Sequence, residues 1–180
     1  IGPTLAAIGD TWAAGDAGVA MEHFATNFLR HQLLKMMQAA PAPYAVAPIV
    51  LACAPEELHE GGLLMLGALL RQMRWPVVYL GQSLPLADIA TLVQRVQPAI
   101  IVFAALSEAT ALALADWPQS FAQSDEAAAE RTPIIGYGGR AFSEHPELVE
   151  RVPGVLLGAT LCEGRPRINS LMLHLSVLQN

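Results

Sequence analysis

At 180 residues, with 53% hydrophobic and only 14% charged side chains, the chain can fill one sizeable core plus a small helical piece and still spare apolar surface for a ligand or another subunit. A net charge of −6, with ten Lys and Arg scattered rather than gathered in a stripe, excludes a nucleic-acid grip by this stretch alone. No apolar run reaches the ~18 residues of a membrane helix, nothing reads as a signal peptide, and Cys53 and Cys162 are too few for a disulfide framework, so a reduced, cytoplasmic setting is expected.

Residues 1–40 are helical in pattern. Leu5, Ile8 and Trp12 fall at three- and four-residue spacing, the run breaks around Gly15, and a second helix is expected from about Gly18 to Met37, with Asp16 as its N-cap. On that helix Val19, Glu22, His23 and Thr26 share one face. Two such helices bury little, so further helices or a partner chain are needed to complete a bundle. The chain opens on Ile1 in mid-pattern and is expected to be part of a longer protein. Residues 41–48 form a linker with prolines at 41, 43 and 48, which cannot be helical throughout.

Residues 49–180 alternate. Strand-like apolar runs at Ile49–Cys53, Val77–Leu80, Ala99–Phe103, Pro133–Tyr137 and Val155–Leu157 are separated by helical stretches near Gly61–Met73, Leu86–Val96, Glu108–Phe121 and Glu144–Val152, with a last helix after Glu163. This predicts a Rossmann-like, flavodoxin-like α/β domain with five parallel strands covered on both faces, preceded by part of a helical bundle. The polar segment 123–131 is the best candidate for a mobile loop or a frayed helix end.

The first strand-to-helix turn carries Glu57-Leu58-His59-Glu60-Gly61-Gly62. Open α/β sheets place ligands at such turns. An imidazole there can ligate a metal, and a carboxylate two residues earlier can hold its other ring nitrogen and fix the tautomer. Gly62 leaves room for something bulky to approach the backbone.

The motif resembles the Asp-x-His-x-x-Gly signature of cobalamin-binding modules, with Glu57 in the place of the aspartate; the resemblance implies that His59 is the lower axial ligand to cobalt. Upstream, Trp12 is followed after nine residues by Glu22-His23. This is similar to the Trp-x9-Glu-His signature in the helical domain of CarH-type, MerR-family adenosylcobalamin photoreceptors. The likeness continues through Phe28-Leu29-Arg30, Tyr79-Leu80-Gly81, Leu84-Pro85-Leu86, Leu106-Ser107-Glu108 and Gly138-Gly139, across nearly the whole chain. It implies that Trp12 and Val19 cover the upper face of adenosylcobalamin, that Glu22 and His23 reach its ribose, and that Gly138 and Gly139 admit the buried nucleotide tail. The family's Ser-x-Leu element is displaced: the chain reads Phe103-Ala104-Ala105-Leu106, with Ser107 next, so Leu106 and Ser107 are the candidates there.

Three departures bear on mechanism. Ala13 stands where CarH-type sensors carry the histidine that captures cobalt after light, and a methyl group cannot ligate a metal. Leu58 and Ser83 replace an Arg and an Asp of a subunit interface, which favours a dimer over that family's tetramer. Some relatives also bind a bilin, a use the sequence leaves open. The leading expectation is a sensor domain, not an enzyme, in which light breaks the cobalt–carbon bond and the helical arm moves; DNA would be contacted only through a domain outside this chain. The competing expectations are a corrinoid carrier of a methyltransferase or mutase, and an apo interaction module with a vestigial site. Trp12 with Glu22-His23 favours the sensor, because a methyl carrier needs an open upper face.

Overall fold

Five short runs of aliphatic residues escape water together only in the middle of a sheet with helices on both faces. The computed structural model describes residues 18–122 and 133–178, together with Ala7 and Thr11. The strands are β1 (Ile49–Cys53), β2 (Val77–Gly81), β3 (Ile100–Ala104), β4 (Ile134–Gly138) and β5 (Val155–Gly158). They form one parallel sheet in the order β2-β1-β3-β4-β5, with Leu51 opposite Tyr79 on one side and Val102 on the other. Every residue of β1 is buried, as its central position requires.

The helices are α1 (Val19–Gln38), α2 (Gly61–Gln72), α3 (Leu86–Val96), α4 (Glu108–Leu112), α5 (Trp117–Ala122), α6 (Ala141–Glu144), α7 (Leu148–Arg151) and α8 (Leu161–Leu178). Alternate strand residues point to opposite faces. Val50, Ala52, Ile101 and Phe103 meet Ile89 and Val93 of α3 and Leu148 of α7. Ile49, Leu51, Ile100 and Val102 meet Leu66 and Leu70 of α2 and Ile168 and Met172 of α8. The arm α1 lies outside this second layer, where Leu33 is buried against Leu64 and Ala68 of α2. Gly67 is the point of closest approach, since a Cβ there would lie 3.0 Å from the Met37 methyl. Between α1 and β1, Arg71 and Arg74 hold the chain by donating to the carbonyls of Pro41 and Ala42. Tyr44 packs edge-on to Trp75.

Several elements differ from the periodicity. The helix expected over Glu108–Phe121 is two short helices, because Pro118 has no N–H to give the Leu114 carbonyl, which accepts from Trp117 instead. Of the helix expected over Glu144–Val152 only the short α7 forms, with Pro146 separating it from α6, which ends at Glu144. Gly18 rather than Asp16 occupies the cap position of α1. Trp12, Ala13 and residues 123–131 lie outside the described residues. Among the described residues, no helix is long and apolar enough to cross a membrane.

Candidate functional site

β1 and β3 are neighbours in the sheet, but α2 follows β1 onto one face while α4 follows β3 onto the other. The two outgoing loops therefore diverge, and a crevice opens at the carboxyl ends of the strands. Glu57 fills its base. Its residue is 2% exposed, and its carboxylate accepts four hydrogen bonds. From its own loop come the His59 N–H (2.9 Å) and His59 Nδ1 (2.7 Å). From across the crevice come the Leu106 N–H (2.8 Å), in the loop after β3, and the Thr110 hydroxyl (3.0 Å), on α4. Burial pushes the Glu57 carboxyl up, but these donors outweigh it and leave the group below its ordinary range.

An ionised carboxylate only accepts, so Nδ1 of His59 carries the hydrogen. Nε2 is the nitrogen left to bind outward, and the side chain is 77% exposed. The loop is also clasped from β2: Ser83 N–H donates to the Glu57 carbonyl at 3.0 Å, and Ser83 Oγ accepts from Glu56 N–H at 3.2 Å. Leu58, between them, is 62% exposed. The result is a ring presented on a braced backbone with one tautomer enforced.

Beside His59 a cavity of about 230 Å³ runs between α2 and α8 under the ends of β3, β4 and β5. Leu66, Val102, Leu157 and Ile168 give it an apolar wall, and Leu106, Gly138 and Gly139 line it as well. Gly62 also lines it, and a Cβ on Gly62 would meet nothing within 4 Å. Gly138 and Gly139 are different. A Cβ on Gly138 would sit 2.4 Å from the Gly158 carbonyl oxygen, and one on Gly139 (φ +123°) 2.2 Å from that of Ala105. The fold itself demands glycine at both places, whatever the cavity holds.

The expected site residues thus fall into two groups. Glu57, His59, Gly62, Leu106, Gly138 and Gly139 converge on the crevice and cavity. Ser107 does not line the cavity; its hydroxyl caps α4 by accepting from Thr110 N–H. Val19, Glu22 and His23 stand on α1, none of them lining the cavity. Thr26 Oγ1 donates to Glu22 at 2.8 Å, and Glu22 lies 3.6 Å from His23. Sequence reasoning missed Thr110, whose only signal was its position three residues after a capping serine. Its single proton has three acceptors in reach, the Ser107 carbonyl, the Ser107 hydroxyl and the charged Glu57 oxygen, and the charge favours the carboxylate.

Among the described residues, no group of three His, Cys, Asp or Glu is placed to hold a bare metal ion. One exposed imidazole with a fixed tautomer suits a metal whose other positions are already filled by a macrocycle, which needs only an axial ligand from the protein. The adjoining cavity and the open space over Gly62 fit a large, partly apolar cofactor.

Two curated relatives match most of the chain. The HTH-type transcriptional repressor CarH of Myxococcus xanthus is 32% identical over 152 residues, 84% of this chain and 49% of that protein. Repressor CarA of the same organism is 32% identical over 166 residues, 90% of this chain and 53% of that protein. The chain thus spans about half the length of either. Among solved structures, the Methanosarcina barkeri monomethylamine corrinoid protein superposes with a TM-score of 0.59 over 94% of this chain and 78% of its own, at 14% identity, a likeness of fold alone. The B12 binding domain model matches residues 47–160, which takes in the whole sheet, the Glu57–His59 turn and most of the cavity lining. On that match this chain belongs to the B12-binding domain family.

Proposed function

We propose that this chain is an adenosylcobalamin-binding, light-sensing regulatory domain whose output lies in a further domain or in a change of oligomer. The observation that carries the reading is the His59–Glu57–Thr110 chain of hydrogen bonds, which presents one imidazole nitrogen outward beside an apolar cavity. When bound, adenosylcobalamin supplies a cobalt–carbon bond that visible light can break. The chain's own residues set what surrounds that bond. His59 Nε2 would hold cobalt, Glu57 accepts the Nδ1 hydrogen and keeps the ring oriented, and the donors of His59, Leu106 and Thr110 together keep Glu57 ionised. The cavity between α2 and α8 would shelter the nucleotide tail. Glu22 and His23, adjacent on α1, would cover the cofactor on the side away from His59. The 32% identity to two transcriptional repressors supports a regulatory rather than an enzymatic role, with DNA contacted through a separate domain. Leu58 and Ser83 favour a dimer, because neither can carry the charge of the Arg and Asp that the resemblance places in the tetramer interface of CarH-type sensors.

A corrinoid carrier is the second reading. The resemblance in fold to a corrinoid protein favours it, as does the position of Val19, Glu22 and His23 outside the cavity lining. Absorption spectra of the purified protein with adenosylcobalamin and with methylcobalamin, in the dark and after green light, separate the two. A sensor prefers the adenosyl form and leaves a stable photoproduct bound. Equal affinity for the two forms, or release of the photolysed corrinoid, contradicts the sensor reading.

A further inference from the structure

Glu60 directly follows His59, opens α2, and serves neither the Glu57 network nor the cavity. Its side chain is only 11% exposed, and both carboxylate oxygens are taken by groups far away in sequence. Arg30 of α1 donates from Nε to Oε1 at 2.5 Å, and the Tyr79 hydroxyl of β2 donates to Oε2. Tyr79 lies against Leu33 and Leu64, in the small cluster that docks α1 on α2. Burial, followed by the hydrogen bond to Glu60, pushes its phenol well above the ordinary range, so it remains a donor.

The apolar part of the docking sits in the second half of α1, where Leu33 is buried and Leu34 and Met37 are half-buried. Toward the first half Met21, Phe24 and Phe28 are exposed, so little hydrophobic contact holds the turns that carry Val19, Glu22 and His23. Arg30 stands where these halves meet. A polar clasp at that point decides how firmly the first half of the arm is held against the module. Because Glu60 is joined covalently to His59, the same clasp bears on the loop that presents the imidazole.

We infer that Glu60 is a positioning residue which, through Arg30 and Tyr79, ties the docking of α1 to the backbone of the His59 loop. Arm and axial-ligand loop then open together rather than separately. The inference deepens the proposed function, since it supplies a physical link between the two sides of the cofactor, and rests on that reading only for what the arm and loop hold. The bonds themselves join groups of the protein alone.

Hydrogen exchange of the cofactor-free protein therefore tests it independently of any photochemistry. In Arg30→Met, amides of residues 19–30 and of residues 56–62 should both exchange roughly fivefold faster, while β1 and β3 stay unchanged. Arg30→Lys should restore much of the protection. Tyr79→Phe, which keeps the ring and its packing, should loosen the same two segments. The double variant Arg30→Met/Glu60→Gln should be no worse than the more severe single one, as expected for residues acting through one bond. Faster exchange in residues 19–30 with 56–62 unchanged, no change in either segment, or a uniform rise that includes β1 and β3 would each overturn the linkage. A failure here leaves the cobalamin and light predictions standing, and a light-insensitive protein leaves this one standing.

Discussion

The Thr110 hydroxyl donates a 3.0 Å hydrogen bond to Oε2 of Glu57 across 53 residues of sequence, joining α4 to the turn after β1. Glu57 in turn holds Nδ1 of His59 at 2.7 Å, so a residue on α4 helps to aim the imidazole. Thr110→Val keeps the shape, deletes the donor and leaves a buried carboxylate oxygen with one partner fewer. The cofactor-free protein should lose about 1–3 kcal/mol in urea unfolding, and Thr110→Ser should recover most of it. No loss in the valine variant would mean that the hydroxyl is not needed to satisfy Glu57.

The same network sets an acid dependence. Glu57 titrates below its ordinary value of 4.5 in the folded protein, so its contribution is fully present above that value and is lost as pH falls through the folded pKa. Stability of the cofactor-free protein should therefore fall as pH drops below about 5, and Glu57→Gln should flatten that part of the curve. Parallel curves for the two proteins would show that Glu57 titrates alike folded and unfolded.

Two glycines of the site should respond in opposite ways. Gly139→Ala forces a Cβ to 2.2 Å from the Ala105 carbonyl oxygen at φ +123°, so the cofactor-free protein should lose on the order of 1–3 kcal/mol. Gly62→Ala meets open space in the first turn of α2, so stability should hold or rise by up to about 1 kcal/mol. Cobalamin affinity should nevertheless fall in Gly62→Ala, because the added methyl points into space meant for the ligand. Undiminished affinity there would remove Gly62 from the site.

The thiols offer a check on the burial of the site. Burial, then the charges of Glu57 and Glu60, push the Cys53 thiol up to about 12, whereas Cys162 is exposed. At about pH 8 a thiol reagent should label one cysteine in the native protein and both in denaturant. Rapid labelling of both in the native state would mean that the end of β1 opens readily.

What the sequence revealed followed from local pattern. β1 and α3 could be placed residue for residue, since an unbroken apolar run and a 3.6-residue period survive into the fold. The Glu57–His59 pair was legible because both partners sit on one turn. Thr110 was not, because its contact depends on the β1–β3 pairing, which no short stretch encodes. Glu60 was hidden for the same reason, its partners Arg30 and Tyr79 lying on two other elements. Gly138 and Gly139 were visible as glycines, but their cause, the nearby Gly158 and Ala105 carbonyls, became clear only in three dimensions. The split of the expected helix at Pro118 was signalled by the proline and outweighed by the apolar pattern around it.

The central claim is that Nε2 of His59 ligates the cobalt of a bound corrinoid. Electron paramagnetic resonance of the protein loaded with cob(II)alamin tests it directly, once with natural histidine and once with 15N-labelled histidine. Axial coordination by His59 predicts that each cobalt line splits into three in the first sample and into two in the second, and that His59→Ala abolishes the isotope effect. Three-line splitting that persists unchanged with labelled histidine would show that the corrinoid keeps its own base on cobalt, and would contradict the assignment.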